Sequence, residues 1–147
     1  MTKISDTLIN LVRFRVGSFI DIKKIDIFSI EDIQNALELS LRAFNMYPVI
    51  TYFKWDDVET IDMISDLLVT YAAYLLFDKA SIQERGREYA VNNDGVNFIP
   101  PQISDMAFNI SNQAYDNWFI QIDALKTSET FLEDFVEDSS DGDSYDN

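Results

Sequence analysis

Residues 82–105 read Ile82-Gln-Glu-Arg-Gly-Arg-Glu-Tyr-Ala-Val-Asn-Asn-Asp-Gly-Val-Asn-Phe-Ile-Pro-Pro-Gln-Ile-Ser-Asp105. Gly86 follows a long apolar-periodic run, at the point where a left-handed residue ends a helix. Tyr89 to Val91 and Val96 to Ile99 place β-prone residues on either side of Asn93-Asp94-Gly95, and Asp-Gly is the pair that a type I′ turn selects. Pro100 and Pro101 forbid helix and further ladder pairing, and Ser104 offers a cap for the next helix. The stretch therefore predicts a protruding β-hairpin, about 88–99, between two long helices.

Upstream, Ile61, Ile64, Leu68, Tyr71, Ala72, Leu75 and Leu76 form one stripe and predict a central helix from about Val58 to Arg85, capped by Asp57 or Asp56. Downstream, Ala107, Ile110, Ala114, Tyr115, Trp118, Ile122 and Leu125 predict a helix from Asp105 to about Lys126, with Phe108 and Phe119 off the stripe. Another helix starts at Ser29, with Asp32 completing a capping-box-like signal, and carries Ile33, Ala36, Leu37, Ser40, Leu41 and Phe44. Pro48 ends it near Met46. The alternation from Ile50 to Trp55 predicts a short strand. Residues 1–28 read as an N-terminal arm, with a short helical pattern at Ile4, Leu8, Leu11 and Val12 and a β-prone stretch from Phe14 to Phe28. Residues 127–147 read as an acidic tail with one last helical turn at Thr130 to Val136.

Together these elements predict a mainly α fold, a small helical bundle around one long central helix. A chain of 147 residues that is 47% apolar, with 11 Phe and 7 Tyr against 4 Gly and 3 Pro, suits that class. Cys and His are both absent, which removes disulfides, thiolate or imidazole metal sites, and the usual base near neutral pH. An enzyme is not the expected reading, and no cofactor is expected. The most apolar window, Leu67 to Phe77, is too short to span a membrane, and no signal peptide is visible.

The formal charge of −15 is uneven: eight acids and no base follow Thr127, leaving −7 on residues 1–126. Such a surface disfavours nucleic-acid backbones and favours basic protein partners. Four bases, Arg13, Arg15, Lys23 and Lys24, cluster in the arm, as a solvated face or as a contact for a neighbour's acidic surface.

Arg85-Gly86-Arg87-Glu88-Tyr89, Asn93-Asp94-Gly95-Val96-Asn97-Phe98, Pro100-Pro101 and Ile103-Ser104-Asp105 resemble the central signature of head-tail connector proteins of tailed bacteriophages, of crAss-like or podovirus type. Ser29-Ile30-Glu31-Asp32, Phe44-Asn45, Pro48 and Thr51 to Trp55 match the general layout of that adaptor family, so the resemblance spans roughly residues 29–126. It implies a virion structural protein made in the host cytoplasm and placed in the head-tail neck. There it would form a homo-oligomeric ring, of twelve copies by family resemblance, against the portal and the adjacent neck or tail proteins. Genome DNA would pass through without specific binding, and no membrane is involved. No catalytic, cofactor-binding or metal residues come with the resemblance. The expected assembly contacts are Arg13, Arg15, Arg85, Arg87, Asn93, Asp94, Gly95, Phe98, Phe108 and Phe119, with Asp138, Asp141, Asp143 and Asp146 of the tail.

Two other readings compete with this one. An acidic DNA-mimic or decoy would set its carboxylates into the basic groove of a nucleic-acid-binding enzyme. A metal-dependent hydrolase would use Glu59, Asp62 and Asp66, which share one face if the helix is continuous. Solvation of that face at a helix start is the plainer account.

Overall fold

The computed structural model describes residues 4–23, 28–93 and 103–137, and among these six α-helices follow one another with no strand. They are α1 (Asp6–Lys23), α2 (Ile30–Met46), α3 (Val58–Met63), α4 (Ser65–Asn93), α5 (Ile103–Lys126) and α6 (Glu129–Phe131). A π-helical turn, Leu132–Glu137, continues from α6. The mainly α class is thus the observed one. Helix α4 is the hub, packed against α1, α2, α3 and α5.

Helix α2 follows its sequence signals closely. Ser29 Oγ accepts from Asp32 N–H at 3.0 Å while Asp32 Oδ2 accepts from Ser29 N–H at 3.2 Å, so the two residues close a capping box. Phe28 and Ile33, both buried, occupy the positions of a hydrophobic staple. Lys79 reaches the same carboxylate at 3.0 Å, and its hydrogen bond, with those from Ser29, holds Asp32 below the usual carboxylate range. The six stripe residues are the six buried ones. Ser40 among them needs a partner, and its hydroxyl donates to Leu68 O of α4 at 2.8 Å.

Helices α4 and α5 run antiparallel, because Tyr71 packs on Trp118, Tyr74 on Tyr115, and Arg85 reaches Asp105. Ser111 Oγ donates to Tyr74 O at 3.1 Å across the seam. Ala73 and Ala107, small and buried, are further residues of these two helices with little bulk to separate the backbones.

Several expectations are corrected. Helix α4 does not stop at Gly86 but continues to Asn93, so Tyr89 to Val91 are helical and the first arm of the expected hairpin does not exist. One glycine in an exposed helix costs only about 1 kcal/mol relative to Ala, and Gln83, Arg85, Arg87, Glu88 and Ala90 around it are good helix formers. The Asp94-Gly95 turn and the second arm, with Phe98, lie outside the described residues. The β-prone stretch of the arm is also helical as far as Lys23, and Ile4, Leu8, Val12 and Val16 are buried in the main core. The single helix expected from Val58 is two, broken at Ile64, whose N–H donates to Thr60 O at 3.0 Å before α4 begins. Ile61 and Ile64 are both buried in the core.

Residues 50–54 carry no regular secondary structure, so the expected strand at Ile50 to Trp55 is absent. The helical turn expected at Thr130 to Val136 is present, as α6 and the π-helical turn that continues it. Phe131 is buried and meets Phe44, Phe53 and Phe135 in a cluster with ring centroids 5.1–6.4 Å apart. This cluster fastens α6 to the end of α2.

Gly86 now serves as a test of α4. A Cβ at this position meets nothing within 4 Å, and its φ is not in the left-handed region. Gly86→Ala is therefore expected to raise stability by about 0.5–1 kcal/mol. Chemical denaturation reads the change, and a loss of stability would restore the helix stop.

Candidate assembly interface

Asn45, near the end of α2, holds the chain that follows it. Its Oδ1 accepts from Phe53 N–H at 3.2 Å and from Thr51 Oγ1 at 2.9 Å, while Nδ2 donates to Phe53 O at 3.0 Å. Thr51 N–H donates to Asn45 O at 2.9 Å. A carboxamide offers a donor and an acceptor side by side, much as a peptide group does, so Asn45 replaces the neighbouring strand that residues 50–54 lack. One edge of the segment is thereby satisfied.

The other edge is open. The backbone groups of Ile50 and Tyr52 have no hydrogen-bond partner among the described residues, and their side chains are 56% and 84% exposed. A cavity of about 390 Å³ lies on one side, lined by Arg42, Met46 and Lys54 among others. A second, of about 300 Å³, lies between residues 50–53 and Phe135 and Val136. An extended segment with one free edge is the usual template for strand addition.

Beneath this segment lies Lys126, 1% exposed and without a carboxylate partner among the described residues. Its ammonium donates to Phe44 O, to Tyr47 O at 2.7 Å, to Val49 O at 2.9 Å and to Thr51 Oγ1 at 3.3 Å, and stands 4.5 Å from the Phe44 ring centroid. The carbonyls at the end of α2 need donors, and a cation there also opposes the negative helix terminus. Burial pushes the ammonium down to about 8, so at neutral pH it remains charged. Lys126 is a structural clamp on the 47–51 turn.

A second cluster is aromatic. Tyr47 meets Trp118 and Phe119 edge-on at 5.9 and 5.8 Å, and Tyr71, Tyr74 and Tyr115 continue it along the α4–α5 seam. Tyr47 donates to Asp123 Oδ1 at 3.0 Å; desolvation first, and that carboxylate second, push its phenol up. Burial raises Tyr71 and Tyr74 as well. Trp118 Nε1 is buried there without a partner among the described residues.

The sequence-predicted contact residues do not gather in one place. Arg13 is exposed on α1, whereas Arg15 pairs with Asp66 at 3.1 Å and donates to Thr70 Oγ1 at 3.2 Å. Arg85 pairs loosely with Asp105 at 3.7 Å and stands over the Phe108 ring at 5.3 Å, so Phe108 is partly covered from within. Arg87 and Asn93 lie on the last turns of α4. Phe119 is exposed on α5 beside Tyr47. Asp94, Gly95, Phe98, Asp138, Asp141, Asp143 and Asp146 lie outside the described residues.

Glu59, Asp62 and Asp66 are exposed, the break at Ile64 upsets the helical phase they were assumed to share, and Asp66 takes Arg15. No group of three or more acidic or other metal-ligating residues that could hold an ion occurs among the described residues. No helix among them is long and apolar enough to cross a membrane.

Asn45, Lys126 and the open edge were not foreseen. Lys126 did carry a signal, since Trp118, Ile122 and Lys126 repeat at four-residue spacing and so share the apolar stripe of α5. No family model, no curated protein and no solved structure matches this chain, so the likeness to phage connectors rests on the residues quoted above alone.

Proposed function

We propose that this chain is a subunit of a phage head-tail connector ring, a structural protein that stacks on the portal and lines the DNA channel. The observation that supports this most is the backbone edge at Ile50 and Tyr52, which has no partner among the described residues and stands exposed for a neighbouring subunit.

Rings close when each subunit presents two unlike faces. The open edge at Ile50 and Tyr52 is one such face, and the side of α5 that exposes Phe119 and Ile120 is the other. An acidic channel wall repels phosphates, so DNA passes without sticking. Three exposed acids that follow α5, Glu129, Glu133 and Asp134, add to that charge.

The acidic decoy ranks second. The net charge of −15 favours it, but Asp32, Asp66 and Asp105 already engage the chain's own cations rather than standing free for a partner. Mixing the chain with purified portal rings and imaging the product by electron microscopy separates the two. A stacked ring supports the connector; binding to a basic nucleic-acid enzyme with no affinity for portal favours the decoy.

A further inference from the structure

We propose that the cleft between α2 and residues 50–54 of one copy takes the outer face of α5 of a second copy, formed by Asp116, Phe119, Ile120 and Asp123. This rests on the reading of these two faces as subunit contacts, and it names what each one holds.

The cleft, of about 390 Å³, has apolar walls and a basic rim. Met46, Ile50 and Tyr52 line it and are exposed. Arg42 from α2 and Lys54 from the facing segment are exposed as well, and neither side chain has an ion-pair or hydrogen-bond partner among the described residues. Glu38 on the same lining is already engaged, since it accepts from Trp55 Nε1 at 3.1 Å. In a chain of net charge −15, two unpaired cations beside exposed apolar side chains call for an occupant that is both apolar and acidic.

Helix α5 supplies that chemistry. Asp116, Phe119, Ile120 and Asp123 fall at i, i+3, i+4 and i+7, so they share one face over about two turns. All four are exposed, on the outside of a helix whose inner stripe buries Trp118 and Ile122. Asp123 accepts from Tyr47 of its own subunit at 3.0 Å, whereas Asp116 has no ion-pair or hydrogen-bond partner among the described residues, so Asp116 carries the charge contact. An apolar helical strip with an acid at each end is a form that lies in a groove, here with Phe119 and Ile120 against Met46, Ile50 and Tyr52. Charge also selects the pairing. Cleft against cleft sets cations together and strip against strip sets acids together, so only the unlike faces attract, and each copy keeps one of each for its next neighbour.

Charge exchange in the full chain, read by light scattering, tests this. The wild type should exceed 17.0 kDa as concentration rises. Arg42→Glu with Lys54→Glu, and separately Asp116→Lys, should each weaken self-association about tenfold, because attraction becomes repulsion. Mixing these two variants should restore association, since the reversed cleft of one fits the reversed strip of the other, and rescue shows that both are folded. Ile120→Ser should weaken association and gain nothing from the reversed cleft. Arg13→Glu, on α1 and off both faces, should change nothing. A chain that stays at 17.0 kDa, or one whose association ignores these substitutions, overturns the pairing. Association lost in both charge variants and not regained on mixing overturns it too. Rescue on mixing with no stacking on portal rings supports the pairing and removes the connector reading alone.

Discussion

Lys126→Met will lower the melting temperature by about 10 °C, a loss of about 3 kcal/mol at pH 7. Methionine keeps much of the stem and its packing, but the carbonyls of Phe44, Tyr47 and Val49 lose their common donor in a site that is almost fully buried. Each unsatisfied acceptor costs about 1–3 kcal/mol. Removing the buried ion returns part of that, because its desolvation was unfavourable to begin with. Lys126→Arg will not rescue the protein, since a planar guanidinium cannot point three donors at a cradle built around an ammonium.

The same residue gives a pH signature. The folded group titrates at about 8 against the ordinary lysine value of 10.5, so between these values the unfolded chain holds more protons and folding gains as pH rises. Below about 8 both states are protonated and the contribution is flat. Wild type should therefore gain on Lys126→Met by on the order of 2–3 kcal/mol between pH 8 and 10.5. Tyr47, Tyr71 and Tyr74 act in the opposite sense. Their raised values mean that unfolded tyrosines ionise first, so both proteins lose stability as pH climbs past 10. Melting curves of the two proteins over pH 7–11 read both effects, and parallel curves would contradict the Lys126 account.

Leu68→Ala carries the second large effect, a loss of about 2–5 kcal/mol. Leu68 is fully buried on α4, which packs against four other helices, and its own carbonyl accepts from Ser40. The cavity opens where the helices meet, and their backbones cannot all close on it. Leu39→Ala, on the exposed side of α2, is the control and should change stability by less than about 0.5 kcal/mol. Equal melting temperatures for Leu68→Ala and wild type would mean that the apolar face of α4 is misplaced.

Where local chemistry and tertiary packing agree, the chain reads plainly. Ser29, Asp32 and Pro48 bound α2, and its six stripe residues are its buried ones, because cap, period and stop all act within one element. The stripe of α5 reads equally well. The failures lie where a neighbour decides. Phe14 to Lys23 have β-prone side chains, yet Val12 and Val16 reach the core only from a helix. Gly86 looks like a stop from its own neighbours, but a helix already many turns long runs through it at small cost. The alternation at Ile50 to Trp55 was legible, while its partner was not, since a carboxamide on α2 stands in for a strand. Lys126 lay on an apolar stripe in plain view. That it meets three carbonyls from 75 or more residues away is a tertiary fact.

The central claim is that the chain assembles into a ring through unlike faces, and its mass in solution tests it most directly. Light scattering coupled to size exclusion, run on the chain alone and on the chain mixed with portal rings, reports the number of 17.0 kDa subunits per particle. The account predicts a discrete closed species on the portal, twelve copies by family resemblance, and the same species in the free protein as concentration rises. A particle that stays at 17.0 kDa at every concentration and leaves the portal peak unchanged would contradict it.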